Sequence, residues 1–529
     1  MLRRPQNAKE SREKTRFLGA ALGFLTWLLY ISAFPLGNVP EAAYIFAVPL
    51  LVWIFIEPPW GRSILIFECV GIAVWLWLLM WLRHVTVGGW IALSVVLGQL
   101  FVLWCMLARW TLPRIAQVNG SVRLFALLGL AGAWVVLEWL RTWLFSGFPW
   151  LPLAASQWQR PVILQVLAWA GFYGLSFLLI FFNLALASYG QFWWRARTKG
   201  IQRRFCLEFY VAVLLLAGTL GLFFISLIQE RAQNEGLSRV GIVQPYTPAR
   251  LKWDPKEAQE NWQVLQRFTE ALGHSDVDWV LWPESATPLP VIGNQSMCAW
   301  VEALATEVGR PIVMGNLAHE PEAWYNGIFV VLPYQGLMQP YYVKRKLVPF
   351  GEYVPFRSWF PGLDKVVPIG DDFLPGGEAE LLKVPLGEQV LICGGLVCYE
   401  DIFPQLAREV SRKGAQCLVV VTNDAWYGEE AGAYQHAAHS VLRAVETRRP
   451  VIRSGNGGWS GWIDGMGSIR EVLIKSGKGV YFRGAESLVF HYPMDADLKQ
   501  SFYVQWGDWF VLLSGVFSLF LLCIRQLGT

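Results

Sequence analysis

Charge is scarce in this sequence. Only 16% of its 529 residues are Asp, Glu, Lys or Arg, whereas soluble domains contain about 25%. This composition excludes an ordinary soluble protein, and the 54% share of hydrophobic residues indicates that much of the chain faces lipid. The 29 tryptophans fit this interpretation, because indole rings favour the boundary between membrane and water.

Several other patterns are missing. The eight cysteines show no Cys-x-x-Cys spacing, so neither a zinc site nor a redox pair is expected, and we predict no metal and no other cofactor. No long basic run with interleaved aromatic residues is present, which argues against nucleic acid as a partner. The sequence also lacks internal repeats and low-complexity tracts. These absences direct attention to the apolar runs and to single reactive side chains.

Eight apolar runs approach the roughly 20 residues that cross a bilayer as a helix. They cover residues 17–34, 40–56, 64–82, 88–108, 122–140, 161–188, 205–228 and 508–524. The first run follows a basic stretch, as a secretory signal peptide does. It is long, however, it lacks a clear small-x-small cleavage site, and it leads into further runs, so we predict a retained anchor.

The distribution of Lys and Arg predicts the orientation of these spans. One set of loops carries the basic clusters at residues 3–16, 109–123 and 195–204, with Arg62 and Arg525. The opposite short loops carry only Arg83, Arg141 and Arg160. Because Lys and Arg accumulate on the cytoplasmic side, both termini are predicted to be cytoplasmic and residues 229–507 to lie outside the cytoplasm.

The predicted domains follow from this topology. They are a membrane domain of seven spans at 1–228, a further domain at 229–507, and an eighth span with its tail at 508–529. The middle segment is rich in charge, Gly and Pro. It contains β-type runs at Val240 to Val243, Trp279 to Trp282, Pro311 to Met314, Gly327 to Leu332, Val390 to Val397 and Cys417 to Val421. Helical stretches at 259–272, 298–308 and 403–413 alternate with them, which predicts an α/β sandwich.

Three stretches in this segment place reactive side chains at strand ends. In the first, the apolar run at 279–282 stops at Pro283 and is followed by Glu284. A partly desolvated carboxylate at this position is suited to accept a proton near neutral pH. Taken alone, Glu284 is weak evidence, because acidic residues that follow strands are commonly turn or helix-cap residues.

The second stretch, residues 341–352, contains two candidate cations. Lys344 and Lys346 would share one face of a strand, so spacing does not decide which of them points inward. An inward lysine would supply a fixed positive charge to a developing oxyanion, with Glu352 orienting it. The alternative is a solvated basic strand edge.

The third stretch leads an apolar strand, residues 390–397, into Cys398 and then into a short acidic turn before a helix. This elbow geometry exposes a nucleophile and lets backbone N–H groups face an oxyanion. Cys393 and Cys417 lie inside strands and are interpreted as packing residues. Cys398 is therefore the candidate nucleophile.

In the order Glu, Lys, Cys, these stretches resemble the nitrilase (carbon-nitrogen hydrolase) superfamily. The segments at 347–355, 398–400 and 422–428 are more closely similar to the apolipoprotein N-acyltransferase family, as are 138–141 and 147–150 in the membrane part. The resemblance covers nearly the whole chain. It implies a nitrilase-like αββα sandwich outside the cytoplasm of a bacterial inner-membrane enzyme.

The resemblance also implies a ping-pong reaction. Cys398 would attack the sn-1 ester of a phospholipid, typically phosphatidylethanolamine, and form a thioester. The α-amino group of a diacylglyceryl-modified N-terminal cysteine on an apolipoprotein would then accept the acyl chain. Glu284 would be the general base, and Lys344, preferred over Lys346 because it lies eight positions before Glu352, would stabilise the oxyanion.

Four more residues match family positions near the nucleophile or the substrate. Tyr399 and Glu400 would support the nucleophile together with Glu352, and Trp253 and Trp426 would contact substrate. Trp253 fits interfacial anchoring equally well. The chain departs from the usual family pattern at 243–246 and at 454–459, which leaves loop contacts to substrate open.

Two further questions stay open from the sequence. Glu138 and Arg141 lie three residues apart on one helix face, where they either hold a head group or, as we favour, neutralise each other. Hydrolysis shares the first half of the mechanism, so a membrane-anchored amidase is an alternative, although a simple anchor needs only one span. A transporter is disfavoured because midplane charges and repeats are few.

Overall fold

The computed structural model describes residues 4–199, 205–231, 234–248, 255–321, 323–355, 357, 372–494 and 499–523. The chain forms two compact units. The first contains Met1–Gln157, Ala170–Phe224 and Asp508–Thr529, and the second contains Trp158–Trp169 and Ile225–Gly507. Each unit is described by itself.

Both units contain α-helices. In chain order the helices are α1 (Arg4–Ser32), α2 (Val48–Ile54), α3 (Trp60–Leu78), α4 (Val87–Ile115), α5 (Gly120–Arg141), α6 (Pro161–Leu164), α7 (Leu167–Lys199), α8 (Leu207–Arg231), α9 (Pro255–Gly273), α10 (Gln295–Val308), α11 (Pro404–Arg412), α12 (Gly432–Thr447), α13 (Phe502–Trp506) and α14 (Trp509–Cys523). Of these, α9 to α13 belong to the second unit, as does α6.

Five helices in the described residues are long and apolar enough to cross a membrane: Trp60–Leu78, Val87–Ile115, Gly120–Arg141, Leu167–Thr198 and Leu207–Glu230. Three apolar helices are shorter: Phe17–Ser32, Pro40–Ile54 and Trp509–Leu522. The run at 40–56 is interrupted, because it folds as a 3-10 turn from Pro40 to Tyr44 and then as the seven-residue helix α2. The eight predicted spans thus correspond to five helices of spanning length and three shorter ones.

Helices α5 and α14 pack at very close range. A Cβ atom at Gly132 would overlap the Ser514 carbonyl oxygen, and one at Gly129 would meet the Phe517 carbonyl oxygen at 2.7 Å. Such contact requires glycine, because small residues let two helix backbones approach. The Asp508 carboxylate also accepts a hydrogen bond from the Trp139 indole at 3.0 Å.

Glu138 and Arg141 are both buried near the end of α5. The Glu138 carboxylate accepts hydrogen bonds from the Trp134 indole at 2.9 Å and from the Leu153 amide at 2.8 Å. The Arg141 guanidinium lies 4.0 Å from the same carboxylate and 5.2 Å from the Trp75 ring centroid. These contacts agree with the structural pairing that we favoured from the sequence.

The second unit is built on two mixed sheets. The strands are β1 (Glu235–Gln244), β2 (Trp279–Trp282), β3 (Ile312–Glu320), β4 (Ala323–Leu332), β5 (Gly336–Leu337), β6 (Tyr342–Val343), β7 (Leu381–Leu386), β8 (Gln389–Val397), β9 (Cys417–Asn423), β10 (Val451–Asn456), β11 (Gly461–Ile463), β12 (Ile469–Val472) and β13 (Gly484–Pro493). The first sheet has the order β13-β1-β2-β3-β4-β5, and β6 pairs with β4. The second has the order β12-β11-β10-β9-β8-β7.

The two sheets face each other across one hydrophobic core. Val240, Leu281 and Val313 from the first sheet share this core with Val397 and Val419 from the second. A second core lies between the first sheet and helices α9 and α10. Helices α11 and α12 cover the second sheet, where Val410 leaves no room for a side chain at Gly394. The layers therefore run helix, sheet, sheet, helix, as an αββα sandwich requires.

The six β-type runs predicted from the sequence lie in or at the ends of strands, and the three predicted helices are present. The hydrophobic pattern also indicated an apolar run at 161–188. Its first residues form α6, and the long helix α7 begins only at Leu167.

Residues 158–169 pack with the second unit. The Gln165 side chain donates a hydrogen bond to the Met466 carbonyl at 2.9 Å and accepts one from Arg448 at 2.6 Å. The Trp169 ring stacks on Phe502 with centroids 5.7 Å apart. The second unit is therefore made from two separate stretches of chain.

Candidate active site

Strand ends position the candidate residues. Glu284 follows β2, Cys398 follows β8 directly, and Lys344 follows the short strand β6. A Cβ atom at Gly315 of β3 would lie 2.6 Å from the Glu284 Cα atom and 2.9 Å from the Val421 side chain of β9. The ends of strands from both sheets thus meet closely at this place.

A buried cation lies between two carboxylates. The Lys344 ammonium is 2.9 Å from Glu352 Oε1 and 3.3 Å from Glu284 Oε1. The Asn326 amide donates to the same two oxygens, at 2.8 Å each. Lys344 is only 1% exposed and Glu284 only 7%, so the ion pairs are largely shielded from water. This arrangement fixes the cation and both carboxylates in one geometry.

The electrostatics keep Lys344 charged. Burial alone would lower its pKa, but Glu352 and Glu284 outweigh burial, and the pKa of Lys344 is raised above its ordinary value. Lys346 points elsewhere, because its ammonium lies 4.9 Å from the Phe403 ring centroid. Burial lowers the pKa of Lys346. Of the two lysines that spacing left open, Lys344 faces the carboxylates.

Cys398 occupies the elbow between β8 and a 3-10 turn, Cys398–Ile402. Its φ of 51° lies in the left-handed region, which costs a non-glycine residue about 1 to 2 kcal/mol. The side chain is 8% exposed. Burial and then the charge of Glu284 raise the pKa of the Cys398 thiol, while the charge of Lys344 acts in the opposite direction. A buried thiol of this kind needs a nearby base to become a thiolate.

Glu400 ties the lysine segment to the cysteine turn. Its carboxylate accepts hydrogen bonds from the Tyr342 hydroxyl at 2.8 Å, from the Arg345 amide at 2.7 Å and from the Val397 amide at 2.8 Å. It is completely buried, and burial raises its pKa despite these donors. The contacts connect β6 to the end of β8, so Glu400 sets the position of Lys344 relative to Cys398.

The aromatic candidates have different surroundings. Tyr399 is buried beside Cys398 and packs edge-on against Phe403, with centroids 5.0 Å apart. Burial raises the pKa of its hydroxyl. Trp426 lies on the 3-10 turn Asp424–Tyr427 and is 45% exposed, whereas Trp253 lies outside the described residues.

A buried network behind Cys398 was missed by the sequence analysis. His436 lies 3.1 Å from the Cys398 carbonyl oxygen and 2.8 Å from the Asp424 carboxylate. Arg453 donates to Asp424 at 3.1 Å and to Asp401 at 2.8 Å. Asp424 belonged to a stretch that carried the family resemblance, but His436 and Arg453 gave no local signal, because their partners are distant in the chain.

The two segments that depart from the family pattern contact each other. The Ser454 hydroxyl donates a hydrogen bond to the Val243 carbonyl at 3.1 Å. A Cβ atom at Gly457, whose φ is 68°, would meet the Tyr246 ring at 2.9 Å. Both departures therefore belong to a single packing unit.

Comparison with known proteins covers both units. Residues 23–185 match the family model described as the apolipoprotein N-acyltransferase N-terminal domain, and residues 239–483 match that of carbon-nitrogen hydrolase. An apolipoprotein N-acyltransferase of Geobacter metallireducens is 31% identical over 504 residues, covering 92% of each chain. One from Brucella melitensis is 34% identical over 380 residues, covering 69% of this chain and 68% of its own.

Among solved structures, the chain is similar to an amidase from Nesterenkonia sp.. It is 17% identical with a TM-score of 0.36, and the match covers 53% of this chain and 96% of the amidase.

Proposed function

The chain belongs to the apolipoprotein N-acyltransferase family, and from this premise we propose that it N-acylates lipoproteins in two steps through Cys398. The acyl donor is the sn-1 chain of a phospholipid, with phosphatidylethanolamine expected from the family resemblance. The acceptor is the α-amino group of the diacylglyceryl-modified N-terminal cysteine of an apolipoprotein. The product is a lipoprotein whose N-terminal cysteine is both diacylglycerylated and N-acylated.

In the first step, Glu284 takes the proton of the Cys398 thiol and the thiolate attacks the sn-1 ester carbonyl. The carbonyl oxygen becomes an oxyanion, which Lys344 stabilises with its fixed charge. Collapse of this intermediate breaks the ester C–O bond. The proton held by Glu284 passes to the leaving alkoxide, so a lysophospholipid departs and a Cys398 thioester remains.

In the second step, the lipoprotein amine attacks the thioester. Glu284 accepts a proton from the amine, Lys344 again stabilises the oxyanion, and the C–S bond breaks. The amide product leaves, and the proton returns to the sulfur of Cys398. The acid and base roles of Glu284 alternate, as in other double-displacement acyl transfers.

The neighbours of these three residues act by positioning. Glu352 holds Lys344 at 2.9 Å, Glu400 holds the segment that carries it, and Tyr399, within the turn that presents the thiol, packs against Phe403 at the end of that turn. Trp426, with its exposed ring, and Trp253 are proposed to contact the lipid substrate.

The membrane part explains why such chemistry needs apolar helices. Both substrates and both products carry acyl chains, and exposing each CH₂ group to water costs about 0.8 kcal/mol. We propose eight spans in the bacterial inner membrane, both termini in the cytoplasm, and the α/β domain at 229–507 on the periplasmic side. The distribution of Lys and Arg supports this orientation.

One observation carries the proposal. A buried ammonium, that of Lys344, is held by two carboxylates, and both it and Glu284 act electrostatically on the buried thiol of Cys398. A protein that used these side chains for stability alone would gain little, because buried ion pairs are weak stabilisers.

The decisive experiment is mass spectrometry of the intact chain after incubation with phosphatidylethanolamine. We expect an acyl adduct that hydroxylamine removes, in the native chain and in Cys393→Ser, but not in Cys398→Ser. Cys393 is a matched control because it lies on β8, the strand that leads into Cys398, and is also buried. An adduct that survives in Cys398→Ser would overturn the assignment.

The second half-reaction is tested by adding a diacylglyceryl lipopeptide to the acylated enzyme. We expect the lipopeptide to gain the acyl chain as an amide while the adduct disappears. Release of labelled free fatty acid, with the lipopeptide unchanged, would show a hydrolase instead.

A further inference from the structure

His436 is enclosed behind the nucleophile. It lies on α12 and is completely buried. Both ring nitrogens are within hydrogen-bond distance of an oxygen: Nδ1 is 2.8 Å from Asp424 Oδ1, and Nε2 is 3.1 Å from the backbone carbonyl oxygen of Cys398. The ring therefore bridges the cysteine turn and the Asp424 carboxylate.

Both of these oxygens are acceptors. A backbone carbonyl has no proton to donate. Asp424 Oδ1 already accepts from the Thr422 hydroxyl at 2.7 Å, and Asp424 Oδ2 accepts from Arg453 at 3.1 Å, so the carboxylate is surrounded by donors. A neutral imidazole has one N–H group, and in that state one of the two contacts would bring lone pairs together. Only an imidazolium satisfies both.

The charge of the network leads to the same protonation state. Asp401, Asp424 and Arg453 are all completely buried and together carry one net negative charge. A protonated His436 brings the sum to zero, which matters because an uncompensated buried charge is costly.

The other ionisable groups that face the His436 ring do not change the net charge of this buried network. Tyr427 lies 6.0 Å from the imidazole, and burial raises the pKa of its hydroxyl, so it is neutral. Arg443 and Glu446, on the same helix, form their own ion pair at 2.7 Å.

We infer that His436 is a buried imidazolium that holds the backbone of Cys398 in its left-handed conformation and places a positive charge behind the thiol. It acts through the peptide group and is therefore a positioning residue. The positive charge of the imidazolium favours the thiolate form of Cys398. The hydrogen bond from Nε2–H to the Cys398 carbonyl stabilises the strained backbone conformation of Cys398, whose φ is 51°. This inference rests on the proposed function in one respect, that Cys398 is the nucleophile.

The test compares two neutral replacements in the full-length chain. Gln keeps an amide N–H near the position of Nε2, and Asn keeps one near Nδ1, but neither carries the charge. The readout is the rate of iodoacetamide alkylation of Cys398 against pH, quantified on the Cys398 peptide. We expect both His436→Gln and His436→Asn to raise the pH at which Cys398 alkylation reaches half its maximal rate by about one unit. We also expect Gln to retain faster acyl-adduct formation than Asn.

His439→Gln is the matched control, because His439 is equally buried on the same helix, and it should keep the parental profile. Parental profiles in both folded His436 variants would overturn the inference.

A second measurement needs no variant to fold. In the native chain labelled with ring-¹⁵N histidine, one of the six histidines should keep protons on both nitrogens at pH 8. If every imidazole is singly protonated there, the inference is wrong. Neither the alkylation profile nor the histidine spectrum depends on acyl transfer, so a chain that fails to form the thioester would contradict the proposed function without affecting these two results.

Discussion

Glu284 affects the thiol of Cys398 in two opposite ways. As a base it removes the proton, yet its negative charge is the second largest cause, after burial, of the raised pKa of the Cys398 thiol. Proximity of the base therefore has an electrostatic cost, which the Lys344 charge partly offsets. Removing the charge of Glu284 therefore has two separate effects: the thiol loses its base, and the pKa of the thiol falls.

We predict that Glu284→Gln abolishes acyl-adduct formation and at the same time accelerates alkylation of Cys398 at a fixed pH between 7 and 9. The sign follows from the pKa: a raised thiol pKa means less thiolate at a given pH, so removing the negative charge lowers the pKa and increases the thiolate fraction. Iodoacetamide rates and adduct formation are measured on the same preparation. Slower alkylation in the folded variant would contradict the assigned electrostatics.

The two lysines at 344 and 346 offer a second comparison. Lys344→Met leaves Glu284 and Glu352 buried without their shared cation, so we expect a loss of about 3 to 5 kcal/mol in stability and at least a hundredfold loss of acylation rate. Lys346→Met removes only a contact with the Phe403 ring, which is worth about 0.5 to 1 kcal/mol.

Thermal unfolding in detergent and single-turnover acylation measure the two effects. Equal losses in the two lysine variants would show that the cation at 344 has no special role.

At the level of elements, the close packing of α5 on α14 gives a prediction about assembly of the first unit. Gly132→Ala places a methyl group on the Ser514 carbonyl, so the helices must separate, at a cost of about 1 to 3 kcal/mol. Gly218→Ala on α8 is the control, because nothing lies within 4 Å of that position and alanine favours a helix.

Melting temperature in detergent should fall for Gly132→Ala and stay or rise for Gly218→Ala. A stable Gly132→Ala chain would mean that the two helices do not pack as described.

Local patterns predicted the strands that present Glu284 and Cys398, because an apolar run ending in a polar residue is a short-range signal. They did not decide between Lys344 and Lys346, since that depends on the carboxylate of Glu284, which follows β2 and lies 60 residues before Lys344 in the chain. The network of His436 and Arg453 was also invisible, because its contacts join α12 and β10 to the cysteine turn. Hydropathy likewise predicted a span at 40–56, where the structure has a turn and a short helix.

At the scale of the whole molecule, the positive-inside rule predicts the orientation of the chain across the membrane. A topology reporter inserted near residue 300 should report the periplasm, whereas one near residue 118, between α4 and α5, should report the cytoplasm. The short loops on the two sides of the predicted spans differ in their Lys and Arg content as the positive-inside rule requires. A cytoplasmic signal near residue 300 would reverse the proposed topology and, with it, access to exported lipoproteins.

Residues 158–169 have a consequence for biogenesis. This short stretch is synthesised before helices α7 and α8, yet its hydrogen bonds to Arg448 and Met466 require partners made about three hundred residues later. The second unit therefore completes its folding only after Arg448 and Met466 have been synthesised and have met residues 158–169. A fragment beginning at residue 225 would leave Arg448 and Met466 without Gln165, so an excised hydrolase-like domain would be incomplete by twelve residues, 158–169.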